Sequence, residues 1–185
     1  MVKLTFFFLG GVMSSLADVK VEAQRRAVIL DVQKFITAHA DYEPVMNHYF
    51  SKNVYAREMN MKKGSIIVGK IHKFENLCIL SKGAAIVISH EGRKIVQAPC
   101  TFVASPGAKR IIVALEDLTW TNVHGTSETD LAKIEEEFIA KDFNEVLTET
   151  EMKLLGEALN ELDDSGNGSG GFSNQLHEPK VAGGE

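Results

Sequence analysis

Ala84-Ala85-Ile86-Val87-Ile88-Ser89-His90-Glu91-Gly92-Arg93-Lys94-Ile95-Val96 reads as two short strands joined by a tight turn. The flanks are rich in β-branched residues, and Gly92 supplies the positive φ that a hairpin turn demands. Working outward, the segments 54–59, 65–72, 77–80, 101–104, 110–115 and 119–124 have the same character, each bounded by glycine, proline or charged residues. Many short strands at regular spacing predict a sandwich or small barrel over residues 51–125.

On either side the period is helical. Over residues 19–40, Val21, Val28, Val32, Phe35 and Ile36 fall on one side, with Arg25, Arg26, Gln33 and Lys34 largely elsewhere, until Pro44 closes the section. After the strands, Ser127 with Asp130 fits an N-cap opening Leu131, Ile134, Phe138 and Ile139. Thr148 with Glu151 forms a capping box before Met152, Leu155, Leu159 and Leu162, whose stripe covers the barrel or pairs with a second copy. Residues 165–171 read as a flexible linker. The organisation expected is an N-terminal helical segment 1–50, a β-barrel 51–125, an acidic helical arm 126–164 and a flexible tail 165–185. Lys3, the apolar run 4–13 and the small residues Ser15 and Ala17 fit either a short signal ending at 17 or an N-terminal element docked on the domain.

Composition narrows the function classes. The formal charge is −5, which argues against nucleic acid as the main partner. No apolar run approaches the ~20 residues of a membrane-spanning helix. Two cysteines exclude a disulfide framework; Cys78 and Cys100 sit among strand residues and read as reduced core thiols. Trp120 likewise reads as core. Residues 1–125 carry 16 Lys/Arg against 10 Asp/Glu, whereas 126–164 carry 3 against 13. The acidic arm either folds back on the basic body or forms a solvated surface; weak pairing between exposed charges favours the second. No nucleophile elbow, P-loop or dinucleotide fingerprint occurs.

Chemistry concentrates at Gly64, Lys70, His72, Asn76 and Gly83, followed by Pro99, Ser105, Gly107, Arg110 and Ala114. This spacing resembles the two motifs of the cupin superfamily, Gly-x5-His-x-His-x(3,4)-Glu-x6-Gly and Gly-x5-Pro-x-Gly-x2-His-x3-Asn. The resemblance covers about residues 55–124 and implies a mainly β fold: one jelly-roll β-barrel, with an N-terminal helix and C-terminal helices, and a ligand pocket at the barrel mouth. Residues two apart on a strand share a face, so Lys70 and His72 point the same way. Metal-binding cupins hold a divalent ion with three histidines and a glutamate; here those positions are Lys70, His72, Asn76 and Arg110, so one of the four ligands survives. Lysine and arginine are donors only and repel a cation. No cofactor is therefore expected, the alternative being zinc, iron or nickel on a substitute set of His72, Glu75 and His124.

Lys70, His72, Asn76 and Arg110 around one pocket, with Lys73 and Lys109 near its rim, would instead attract a small phosphate- or carboxylate-bearing anion. An internal acid is the competing solution, with Glu58, Glu75, Glu116 and Asp117 as candidates. The segments 47–50, 54–59, 69–73, 98–102, 106–110 and 123–126 are similar to uncharacterised cupin-like proteins of tailed bacteriophages, which implies an origin in the host-cell cytoplasm or virion and no reaction. Export follows only if residues 1–17 are a signal. The leading expectation is a non-enzymatic, homo-oligomeric binding protein without nucleic-acid or membrane partners. A virion or assembly protein and a metal-dependent enzyme with rearranged ligands are the alternatives.

Overall fold

The computed structural model describes residues 15–39 and 42–167. The signal-like start up to residue 14 and the tail beyond 167 lie outside the described residues. Helix α1 (Leu16–His39) leads into β1 (Val45–Ser51), β2 (Val54–Met61), β3 (Ile66–Val68), β4 (Ile71–His72), β5 (Asn76–Lys82), β6 (Ala84–Ser89), β7 (Gly92–Gln97), β8 (Cys100–Ala104), β9 (Ile111–Ala114) and β10 (Leu118–His124). Helix α2 (Leu131–Phe138), β11 (Ile139–Ala140), a 3-10 turn (Phe143–Glu145) and α3 (Glu149–Asn167) complete the chain.

Two antiparallel sheets, ordered β1-β2-β10-β5-β8 and β3-β9-β6-β7, face each other. The hairpin β6–β7 continues into the pair β5–β8, then β3–β9, then β2–β10, each pair in the opposite sheet to the last. A two-stranded ribbon wound in this way is a jelly roll, the fold class expected from sequence. Inward residues follow strand alternation: Met59 and Met61, Cys78 and Leu80, Ala85 and Val87, Ile112 and Ala114, Leu118 and Trp120. Trp120 meets Phe102 edge-on with centroids 5.5 Å apart. Both cysteines are reduced, Cys78 with no exposed surface. Gly83 turns the chain from one sheet to the other at φ +80°, where a Cβ would come within 2.9 Å of the Leu118 Cβ.

Residues 45–50, expected to belong to the helical segment, form with Ser51 the edge strand β1, paired along its length with β2. Tyr49 and Phe50 thus belong to the barrel wall. The buried face of α1 is also different. Ala23, Arg26, Ala27 and Ile29 are covered, whereas Val21, Val28 and Phe35 are exposed. Two alanines let this face approach its neighbours closely. Arg26 is kept there because its Nη1 donates to the Gly107 carbonyl at 2.7 Å and its guanidinium lies 5.2 Å from the Phe143 ring centroid.

Helix α2 is capped by Asp130 itself, whose carboxylate accepts from the Ala132 and Lys133 amides, and not by Ser127. Ile139 leaves the helix to pair with His72. The capping box is present: the Glu151 amide donates to the Thr148 hydroxyl and the Thr148 amide to the Glu151 carboxylate. Helix α3 runs into the expected linker, through Ser165 to Asn167. Its Leu155 and Ala158 pack with Ala27, Ile71, Ala140 and Phe143, a second core joining α1 and α3 to the barrel. Among the described residues no helix is long and apolar enough to cross a membrane.

Candidate functional site

Strand register carries side chains of alternating parity into a cavity of about 670 Å³ at one end of the barrel. On β2 the inward parity is Tyr55, Arg57, Met59; on β10 it is Trp120, Asn122, His124. Because these strands pair, Arg57 lies opposite Asn122 and Tyr55 opposite His124. Arg110 continues the inward parity of Ile112 and Ala114 into the loop before β9. Helix α2 closes one side with Ile134, Glu135 and Phe138, held there because β11 pairs with β4 and the Lys73 amide donates to the Phe138 carbonyl at 2.8 Å.

The expected residues divide into two groups. Lys70, His72, Arg110 and His124 all line the cavity. Asn76 is buried but does not line it; its Oδ1 accepts from Asn122 at 2.7 Å and from the Cys78 thiol at 3.3 Å, so it meets the cavity through Asn122. Glu75 is exposed, and among the described residues no three His, Cys, Asp or Glu side chains form a metal-binding group. The substitute set His72, Glu75, His124 is therefore not assembled: Glu75 lies outside β4 and β10, in the turn before β5, and faces solvent. Lys73 and Lys109 do not reach the rim either; they line a different cavity.

The two histidines stack, with ring centroids 5.4 Å apart and planes within 8°. Tyr55 extends the stack past His124, and the Tyr55 hydroxyl lies 2.7 Å from the His48 Nδ1. Burial pushes His72 down to about 3, helped by His124 and Arg110, and pushes His124 down to about 4. Both rings are neutral at neutral pH. Nδ1 of His72, Nδ1 of His124 and Nε of Arg57 are buried without a hydrogen-bond partner among the described residues.

Glu135, its side chain 43% exposed, is the acid that meets these cations. It pairs with Lys70 and lies 3.9 Å from Arg57. None of the four acids expected from sequence takes this role. Glu58 accepts from Asn47, Tyr49 and Asn60, Asp117 accepts from Lys62, and Glu75 and Glu116 are exposed. With Lys73–Glu145 at 2.8 Å, two acids of the arm, Glu135 and Glu145, meet the basic body, while Glu136, Glu137, Glu149, Glu157 and Glu161 are exposed, as expected of a solvated surface. Alternation along β2 carries a signal for Arg57, two residues from Tyr55 and Met59. Glu135 carries none, since its neighbour Ile134 marks the buried face and an acid beside it reads as solvated.

No protein-family model matches the chain, and no curated protein matches it. Among solved structures it is similar to a double-stranded β-helix protein from Klebsiella pneumoniae, with 14% identity over 49% of this chain and 84% of that one, at a TM-score of 0.42. A cupin superfamily protein from Desulfitobacterium hafniense has 8% identity over 45% and 78%, TM-score 0.40. KdgF from Halomonas sp. has 17% identity over 48% and 86%, TM-score 0.39. Likeness at this level bears on neither ligand nor activity.

Proposed function

We propose that the chain is a binding protein whose barrel cavity takes a small organic anion, its carboxylate or phosphate held by Arg110 with Arg57 and Lys70. The observation that carries this reading is Arg110. Arg110 lines the cavity, its guanidinium 5.8 Å from the Phe102 ring centroid, and among the described residues no carboxylate lies within 4 Å of it, whereas Arg57 and Lys70 share Glu135. Glu91 feels the Arg110 charge from beyond ion-pair distance and is itself paired with Lys94 at 3.2 Å. A cation facing a cavity without an ion-pair partner favours an incoming anion. The orphaned nitrogens of His72, His124 and Arg57 add donors or acceptors for the polar part of the ligand, while Met59, Ile112 and Trp120 offer an apolar floor for its body. The resemblance to phage-encoded barrels extends this reading to sequestration of a host metabolite or signalling nucleotide.

The test is thermal unfolding with inorganic phosphate, adenosine monophosphate and benzoate, followed by calorimetric titration. At least one should raise the Tm, since a ligand at 100 times its Kd adds ~2.7 kcal/mol of stability. The rise should vanish in the double variant Lys70→Gln, Arg110→Gln. An unchanged Tm with all three, or a rise that survives in the double variant, refutes the reading.

A further inference from the structure

Lys109 is 6% exposed, yet among the described residues its ammonium has one partner, the Gly69 carbonyl at 3.0 Å. Among the described residues no carboxylate lies within 4 Å of it, and burial alone shifts its pKa, downward, with no charged neighbour contributing. Of the acids lining the same cavity, Glu135 pairs with Lys70, Glu145 pairs with Lys73 and Asp142 caps the 3-10 turn, while Glu136 is exposed and offers only its backbone carbonyl, to Lys73. Lys109 lines a second cavity of about 1000 Å³, formed by α1, the segment between α2 and α3, and α3 itself. Leu30, Met152 and Leu159, partly exposed over the buried Ile71, Phe143 and Leu155 of the second core, supply apolar lining. A buried ammonium with two unused donors beside an apolar hollow matches a ligand with one negative end and a hydrocarbon body.

We propose that this second cavity binds an amphiphilic carboxylate, its head on Lys109 and its chain along the face between α1 and α3. The site is distinct from the barrel cavity, although Lys70, Glu135 and Ile139 line both.

Octanoate is the probe, titrated calorimetrically into the full chain, with octanol as the chain without the charge and acetate as the charge without the chain. Octanoate should bind at least about tenfold more tightly than either, and Lys109→Met, which keeps an apolar stem, should lose at least about tenfold in affinity. Gly156→Leu is the second variant. Gly156 lines the cavity on α3, and a Cβ there meets nothing within 4 Å, so leucine fills the space without disturbing the helix. It too should lose at least about tenfold. In Arg110→Gln, which weakens the barrel cavity's hold on carboxylates, octanoate should still bind and adding Lys109→Met should still weaken it. Native protein that ignores octanoate overturns the proposal. So do Lys109→Met and Gly156→Leu variants that bind it unchanged, or complete loss of binding in Arg110→Gln alone, which would place octanoate in the barrel.

Discussion

Lys109 and Arg110 are adjacent in the chain and line different cavities, Lys109 beneath the helices and Arg110 inside the barrel. Extended backbone sends successive side chains to opposite faces of a sheet. The run entering β9 therefore divides two cations between two compartments. Lys70 and Glu135 line both cavities, so their ion pair stands at the partition.

Arg110→Gln should weaken adenosine monophosphate or benzoate binding in the barrel cavity by about 10- to 100-fold, the range for losing a charge-assisted hydrogen bond. The fold should persist, because Arg110 makes no ion pair within 4 Å among the described residues. Calorimetric titration of native and variant chains measures the difference.

Glu135→Gln removes the carboxylate that neutralises Lys70 and lies near Arg57. Affinity for the same anions should rise about tenfold, and the salt dependence of binding should steepen as the cavity becomes more positive. Titrations at low and high salt check both; weaker binding would mean that Glu135 organises the site and does not compete for it.

Acid should unfold the protein through three histidines, His90 and His124 buried and His72 partly so. His72 is pushed down to about 3, and His124 and His90 each to about 4, all chiefly by burial. Since the unfolded chain takes up protons near pH 6.5 and the folded chain does not, their stabilising contribution is complete above that pH. It is lost as pH falls toward 4, at up to about 1.4 kcal/mol per pH unit for each histidine. Urea unfolding from pH 7 to 4 should show this slope, and His90→Gln should make it shallower.

Gly83→Ala should destabilise the barrel by roughly 1–3 kcal/mol from backbone strain at positive φ, with a further cost from crowding against Leu118. Gly64→Ala has a positive φ without the crowding, since nothing lies within 4 Å of its Cβ, and should cost less. Chemical denaturation of the pair separates strain from sterics.

Strand periodicity, the Gly92 turn and the Thr148–Glu151 capping box rest on local rules, and the sequence alone determined them. Lys70 and His72 do line one cavity, although Lys70 lies in the break between β3 and β4 and not on a strand. The tertiary structure decided the rest. The buried face of α1 depended on where Gly107 and Phe143 would lie to receive Arg26, and a weakly amphipathic helix carries no internal record of its neighbours. Strand β1 was hidden because its pairing partner supplies most of its order. Glu135 reached Lys70, 65 residues away, only after β11 docked on β4. The separation of Lys109 from Arg110 followed from two layers of structure on opposite faces of one sheet. Contacts between segments distant in the chain depend on how those segments pack, and local patterning does not encode them.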